Sequence, residues 1–438
     1  MTRRRTIQAV LALVALGFAL IPVFQANILA PGDTYYFTNW DRHSQALVLS
    51  KIEQDTTGEG SSRFGLVAAN PDPDAPYSTF DGLRGGAVPA STSYSPYASS
   101  LGLQGWAFEG LYRAGCSTLN CLNTVESGVF SLVLVLFTTL LALAVRRSFG
   151  IVVLLSSLVS PWVVSSAHNL YWVPWTWLLP ACAAAGVVLA RTRRQRIVWI
   201  VMAGAATALK STTGYEYLST TTLLAASIPV LAMLLGRPVD RRTAFRRSAA
   251  VFASCVAGFL VVLIVHILVT GQGSFVAGAD FVVHDALRRT HGSAALDSDP
   301  LVNASLKASL GAVLTRYIVG WSTALFAVGI GGPYPSLSIG TGGFWGLSVL
   351  AVGAVVLQLV REPVRGRRDL AVLVAGVAPA LSWFVLAKSH SFTETNENYV
   401  LWYLICIPTL VWLLGSAVLR WLRPPEAEPE RLGAAASR

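Results

Sequence analysis

The chain of 438 residues is 53% hydrophobic and only 13% charged, with a mean hydropathy of +0.56. That composition excludes a soluble globular domain of this size and predicts an all-α polytopic membrane protein. The net charge of +10 calls for no nucleic acid partner, because the arginines are sorted by loop and report membrane orientation instead.

In chain order, Arg3, Arg4 and Arg5 precede the first apolar stretch, 7–26. A cleaved signal has this pattern too, but the many apolar stretches that follow favour an uncleaved first transmembrane helix, and either leaves the next loop outside. Residues 27–127 form a large extracytoplasmic loop rich in Gly, Pro, Ser, Tyr and Asp. Its start predicts an amphipathic helix lying along the membrane surface, with Trp40, Leu47, Val48 and Ile52 on one face beside Asp41, His43 and Gln45. Cys116 and Cys121 share this loop, where a disulfide between them can persist; two free thiols are the alternative. No second ligand pair of suitable spacing accompanies them, so no metal site is assigned. Cys182, Cys255 and Cys406 fall in apolar stretches and read as packing residues.

A crossing needs about 20 apolar residues for about 30 Å of hydrocarbon. Residues 128–270 supply six more candidates, at 128–145, 149–166, 172–190, 197–213, 217–236 and 249–270. Residues 271–342 are a second extracytoplasmic segment. Within it, 306–330 is apolar enough to pass for a crossing, but that would carry Arg361, Arg365, Arg367 and Arg368 outside, and Lys307 and Arg316 would be costly in lipid. It is expected as an interfacial or re-entrant helix. The stretches 343–360, 370–387 and 399–420 bring the count to ten, and 421–438 is a cytoplasmic tail, disordered from Pro424. Tyr171, Trp172, Trp175, Trp177, Trp402 and Tyr403 are expected as anchors at the membrane interface.

Every second connection is an arginine cluster, and by the positive-inside rule these face the cytoplasm. They hold 22 arginines against 6 acids, a net of +16, whereas the remaining residues total −6. This predicts a multi-pass plasma-membrane protein with both termini cytoplasmic. All four lysines and five of the six histidines then lie outside or at that surface.

Three segments on that side can carry chemistry. Asp33 and Asp41 stand just after the first apolar stretch among aromatics, where a carboxylate can serve as general base toward an acceptor hydroxyl; a turn residue and a helix-start charge are the plainer alternatives. Lys210, Tyr215 and Glu216 join two crossings with almost no loop, either as a Lys210–Glu216 ion pair or as a phosphate anchor with two cavity-lining neighbours. Residues 388–399 are the densest polar segment: Lys388 and His390 can bind phosphate, while Glu394, Asn396 and Glu397 can bind sugar hydroxyls. His43, His168 and Asn169 add further candidates for the sugar or acceptor, and Arg316 for the phosphate. His284 with Asp285 reads as a surface pair, and His266 as a hydrogen-bonded interhelical residue. No P-loop, HExxH, nucleophile elbow or dinucleotide fingerprint is present.

One membrane helix, a long external loop opening with acidic residues near aromatics (Asp33-Thr-Tyr-Tyr and Trp40-Asp41), and many further helices together resemble the GT-C class of integral membrane glycosyltransferases. The Trp-Trp-Asp-Tyr signature of oligosaccharyltransferases is absent, as is the paired Asp-Glu of several other GT-C groups. The resemblance implies a GT-C-like fold, a polyprenyl-phosphate-linked sugar as donor and a glycan, lipid or protein as acceptor. It implies inverting transfer with Asp33 or Asp41 as base, the leaving phosphate being stabilised by Lys210, Arg316, Lys388 and His390. No cofactor is specified; a divalent metal is left open. A transporter or flippase for a lipid-linked or small polar substrate is the alternative.

Overall fold

Strongly apolar sequence with few breakers becomes helix almost throughout the computed structural model, which describes residues 3–30, 34–69, 82, 93–293, 299–319, 325–329, 336–339 and 343–422. The first helix, α1 (Arg3–Ala26), is followed by α2 (Thr34–Asn39) and α3 (Arg42–Thr57). A short antiparallel pair, β1 (Val67–Ala69) and β2 (Tyr94–Pro96), with Val67 opposite Pro96, leads to α4 (Leu103–Arg113). Then come α5 (Leu119–Ala144), α6 (Arg147–Leu158), α7 (Pro161–Ser166), α8 (Trp175–Leu189), α9 (Arg193–Thr213), α10 (Leu218–Leu234) and α11 (Arg241–Thr270). Three shorter helices follow, α12 (Phe275–Arg289), α13 (Pro300–Lys307) and α14 (Leu310–Val319). A second antiparallel pair, β3 (Phe326–Gly329) and β4 (Ser336–Ile339), precedes α15 (Gly343–Arg361) and α16 (Pro363–Leu386). The polar turns α17 (Lys388–Thr393) and α18 (Thr395–Asn398) then lead through a π-helical turn, Trp402–Cys406, into α19 (Ile407–Trp421).

Among the described residues six segments are long and apolar enough to cross a membrane: Ile7–Ala26, Leu119–Ala144, Arg241–Thr270, Gly343–Arg361, Pro363–Leu386 and Thr395–Trp421. Their outward sides expose large apolar side chains, such as Leu11 at 61%, Val261 at 60% and Val349 at 62%. Water does not tolerate apolar surface on that scale, whereas lipid does. The chain is therefore an α-helical membrane protein with a bilayer as its surroundings.

Three expectations change on folding. The stretch 149–166 is not one helix, because Ser160 caps Val163 through its hydroxyl at 3.1 Å and Pro161 starts a new helix, so α6 stops at Leu158. The helix expected to lie on the membrane, α3, is enclosed by the chain itself: every residue from Val48 to Gln54 is buried, under α4 and β1. Of the six aromatic residues expected as interface anchors, five are buried in the protein and Trp175 is half-buried, with Trp177 and Tyr403 at 1% and Trp172 at 4% exposure. Within 306–330 the described residues include the end of α13, the residues of α14 and strand β3. The expected disulfide joins Cys116 to Cys121, at the start of α5.

The centre of the bundle is α8, almost wholly buried, held by α5 on one side and by α9 and α10 on the other. In turn α10 packs on α16 and α11, and α11 carries α12 back across its end. This brings the polar connections 40–45, 169–172, 214–217, 285–290 and 388–394 together at one end of the helices.

Candidate functional site

Asn169 organises one wall of that end. It is 1% exposed and spends its whole side chain on backbone: its amide nitrogen donates to the carbonyls of Trp40 at 3.1 Å and Asp41 at 3.3 Å, and its amide oxygen accepts from the N–H groups of Tyr171 at 3.0 Å and Trp172 at 3.4 Å. Gln45 adds a bond from the Leu170 N–H at 2.9 Å. The start of α3 and the 169–172 turn are thereby locked together. Across this join the indole N–H of Trp172 donates to the Asp41 carboxylate, which also accepts from the Ser44 N–H at 3.2 Å as the cap of α3.

Three non-glycine residues in left-handed conformation converge on Trp172. Asp41 has φ 40°, Val173 φ 37° and Tyr217 φ 63°. For a β-branched valine this is a strained state, held only because its surroundings over-determine it. Tyr217 stacks flat on Trp172, with centroids 4.9 Å apart and planes 10° apart. Burial pushes the Asp41 carboxyl up to about 7, with Glu394 adding to the rise while the bonds from Ser44 and Trp172 restrain it.

The second wall is built on Arg289, the last residue of α12. Its Nη1 donates to Glu216 Oε1 at 3.0 Å and its Nη2 to the Tyr97 hydroxyl at 2.9 Å, while Nε faces Asp285 at 3.2 Å. The Tyr171 hydroxyl also donates to Glu216 Oε1, at 3.1 Å. Burial alone would raise the Glu216 carboxyl, but the Arg289 guanidinium, then the Lys210 ammonium, outweigh it and hold the group below the usual range. Glu216 is thus an anion, and Arg289 a cation fixed by three partners.

Two cavities meet at this pair. One, of about 310 Å³, is lined by Tyr97, Tyr171, Trp172, Arg288, His390 and Glu394, among others. The other, of about 230 Å³, is mostly apolar, with Phe259, Leu263, Phe281, Trp383 and Leu386 in its wall. Glu216 and Arg289 line both. His266, in the apolar wall, is fully hydrogen-bonded, though to two connecting segments rather than to a neighbouring helix as expected: Nε2–H donates to the Ala98 carbonyl and Nδ1 accepts from the Tyr215 hydroxyl, both at 2.9 Å.

The fold brings some of the anticipated residues together and disperses others. Asp33 lies outside the described residues. Glu216, His390 and Glu394 line the polar cavity, Tyr215 lines the apolar one, and Asp41 stands behind Trp172 with Glu397 close enough to interact electrostatically. Three anticipated phosphate cations are committed to backbone carbonyls instead. Lys210 donates to Gly214 at 2.8 Å, Lys388 to Leu306 at 2.8 Å and Ala308 at 2.7 Å, and Arg316 to Phe392 at 3.0 Å while lying over its ring. Burial, then Arg289, lowers the His390 imidazole to about 4, so it is neutral at pH 7. Lys210 meets Glu216 only as a nearby charge; the ion pair of Glu216 is with Arg289. His43 and Asn396 are exposed, and His168 is a buried neutral ring 4.4 Å from Phe37, its basicity lowered to about 4 by burial. Arg289, Tyr97 and Tyr171 were not anticipated. One sequence signal could have found Arg289: Asp285 stands four residues before it, in ion-pair register once the segment is helical as in α12.

Because Lys388 holds the C-terminal carbonyls of α13, Lys388→Met is expected to destabilise the fold by about 2 kcal/mol, measured by thermal unfolding in detergent. Lost substrate binding at unchanged stability would return Lys388 to a ligand role.

Among the described residues no three His, Cys, Asp or Glu side chains gather as metal ligands do. No family model, no curated protein and no solved structure matches the chain.

Proposed function

We propose that the protein is a GT-C-type membrane glycosyltransferase that moves a sugar from a polyprenyl-phosphate donor to an acceptor hydroxyl outside the cytoplasm. The observation that carries this reading is the meeting of an apolar and a polar cavity at Glu216 and Arg289. An amphiphile with a hydrocarbon tail and a hydroxyl-rich head fits such a pair of chambers, and the carboxylates and aromatic faces of the polar one suit sugar hydroxyls and ring faces. In this reading the ten apolar stretches all cross, 149–166 as the broken pair α6 and α7, both termini are cytoplasmic in a plasma membrane, and the site is extracytoplasmic.

Asp41 is the general base. A carboxylate whose affinity for protons is balanced near neutrality can take the acceptor's proton as its oxygen attacks the anomeric carbon. The bond from that carbon to the phosphate oxygen breaks, its electron pair leaves with polyprenyl phosphate, and the configuration inverts. Arg289 and Arg288 face the growing phosphate charge. The backbone strain gathered around Trp172 supports a functional role for this corner.

The test is to incubate purified protein with a panel of polyprenyl-phosphate sugars and follow release of polyprenyl phosphate by mass spectrometry. Turnover with one donor is expected. No release with any donor, together with flux of lipid-linked substrate in proteoliposomes, would favour the flippase, which the same paired cavities also accommodate. A finer check is Trp172→Phe, which keeps the stack on Tyr217 but removes the N–H that restrains Asp41. The acidic limb of the rate profile is expected to move to higher pH; an unmoved limb would detach the titration from Asp41.

A further inference from the structure

We propose that the arginine-bearing starts of α9 and α11 bind the phosphate headgroup of an anionic membrane lipid. The two helices run parallel and are locked at close range. Ser254 donates its hydroxyl to the Ile200 carbonyl at 2.7 Å, and a Cβ on Gly204 would stand 2.7 Å from the Ser254 carbonyl oxygen. A Cβ on Gly258 would collide with the Gly204 carbonyl. The helices are therefore fixed against each other at Ile200–Ser254 and Gly204–Gly258, C-terminal to the first turns of both.

On those turns stand Arg193, Arg194 and Arg196 of α9, with Arg241, Arg242, Arg246 and Arg247 of α11. Among the described residues none of them forms an ion pair, and the neighbouring carboxylate, Asp240, caps the Thr243 N–H at 2.9 Å. Arg196 and Arg247 act on each other as like charges, and each holds an Nε shielded from solvent with no hydrogen-bond partner. Packed cations with unused, shielded donors call for an anion, and a phosphate accepts from several guanidinium groups at once. Directly along the same helices, Ile197, Val201, Phe245 and Phe252 are 43–61% exposed, an acyl-chain surface continuous with the cations. That continuity selects a lipid phosphate over a soluble one. This site lies at the opposite end of α9 and α11 from Tyr215 and His266, and does not depend on the proposed enzymatic activity.

The full chain in neutral detergent, titrated with cardiolipin or phosphatidylcholine and read by native mass spectrometry, is expected to retain cardiolipin selectively. Arg196→Gln with Arg247→Gln is expected to weaken that retention at least about tenfold, since two charge-assisted contacts are lost. Without anionic lipid the double variant should melt no lower than the unaltered chain, because repulsion is relieved; with cardiolipin the order should reverse. If that variant does not fold, the exposed pair Arg193→Gln with Arg194→Gln gives the same binding readout. Equal retention of both lipids, undiminished cardiolipin binding by the variants, or displacement by millimolar inorganic phosphate would overturn the proposal.

Discussion

Asp41→Asn is expected to leave the protein folded and able to hold its donor while slowing sugar transfer by about a hundredfold or more, the usual contribution of a positioned general base. Asparagine has one acceptor oxygen, so it can keep the α3 cap from the Ser44 N–H while the bond from the Trp172 indole, made to the other carboxylate oxygen, is lost. Thermal stability sharpens the test. The folded carboxyl is raised to about 7 from an ordinary 3.8, so the native state holds its proton more tightly than the unfolded chain. Stability from this group is complete below about pH 4, falls as pH rises toward 7, and stays at its low value above that. Asp41→Asn removes the buried titrating group, so its melting is expected to lose the pH dependence that this carboxyl gives the unaltered chain between about pH 4 and 7. Release of polyprenyl phosphate at the unaltered rate would remove Asp41 from the chemistry; an unchanged pH dependence of melting would show that its carboxyl titrates as an exposed one.

Arg289→Met is expected to be the most damaging single change at the junction of the cavities. It strands the Glu216 carboxylate, which is 6% exposed, and releases Tyr97 and Asp285 together. Breaking a buried pair from one side costs about 3 to 5 kcal/mol. Lys210 remains near enough to soften the loss. Adding Glu216→Gln removes the stranded charge, so the double variant should recover most of the stability. It should not recover binding of the lipid-linked donor, because the cation at the mouth of the apolar cavity is still missing. Thermal unfolding and donor retention, measured on both variants, separate the two roles. A single variant that melts as the unaltered chain does would refute the buried pair, and a double variant that retains donor fully would refute the phosphate contact.

The part of this site legible in the sequence was the part that lies close to an apolar stretch. Asp41, Glu216 and His390 each stand where a polar residue beside a hydrophobic run must be paired, buried or used; Glu216 and His390 line the polar cavity, and Asp41 is hydrogen-bonded to Trp172, which lines it. Lys210, Lys388 and Arg316 satisfied the same rule and were paired by backbone carbonyls, a local solution that leaves no trace in residue type or spacing. Arg289 was missed for the converse reason. Its partners Glu216 and Tyr97 are 73 and 192 residues away, and only the return of α12 across the end of α11 brings them within reach. The buried aromatic turn at Tyr171 to Trp177 illustrates the same limit: a cluster of rings at a helix end suits a membrane interface and an interior wall equally well.

Composition and hydropathy by themselves determined that this is an α-helical membrane protein, because stretches so long and so poor in charge have no stable alternative to helix in lipid. They also located the six segments of crossing length among the described residues, and residue spacing allowed Cys116 and Cys121 to be joined. Only the tertiary structure decided that α3 is enclosed, that Arg289 pairs with Glu216, and that two cavities of opposite polarity share that pair. The reason is physical: local sequence sets how a backbone satisfies its own hydrogen bonds, whereas the fate of a charge depends on which distant segments remove its water and supply its partner.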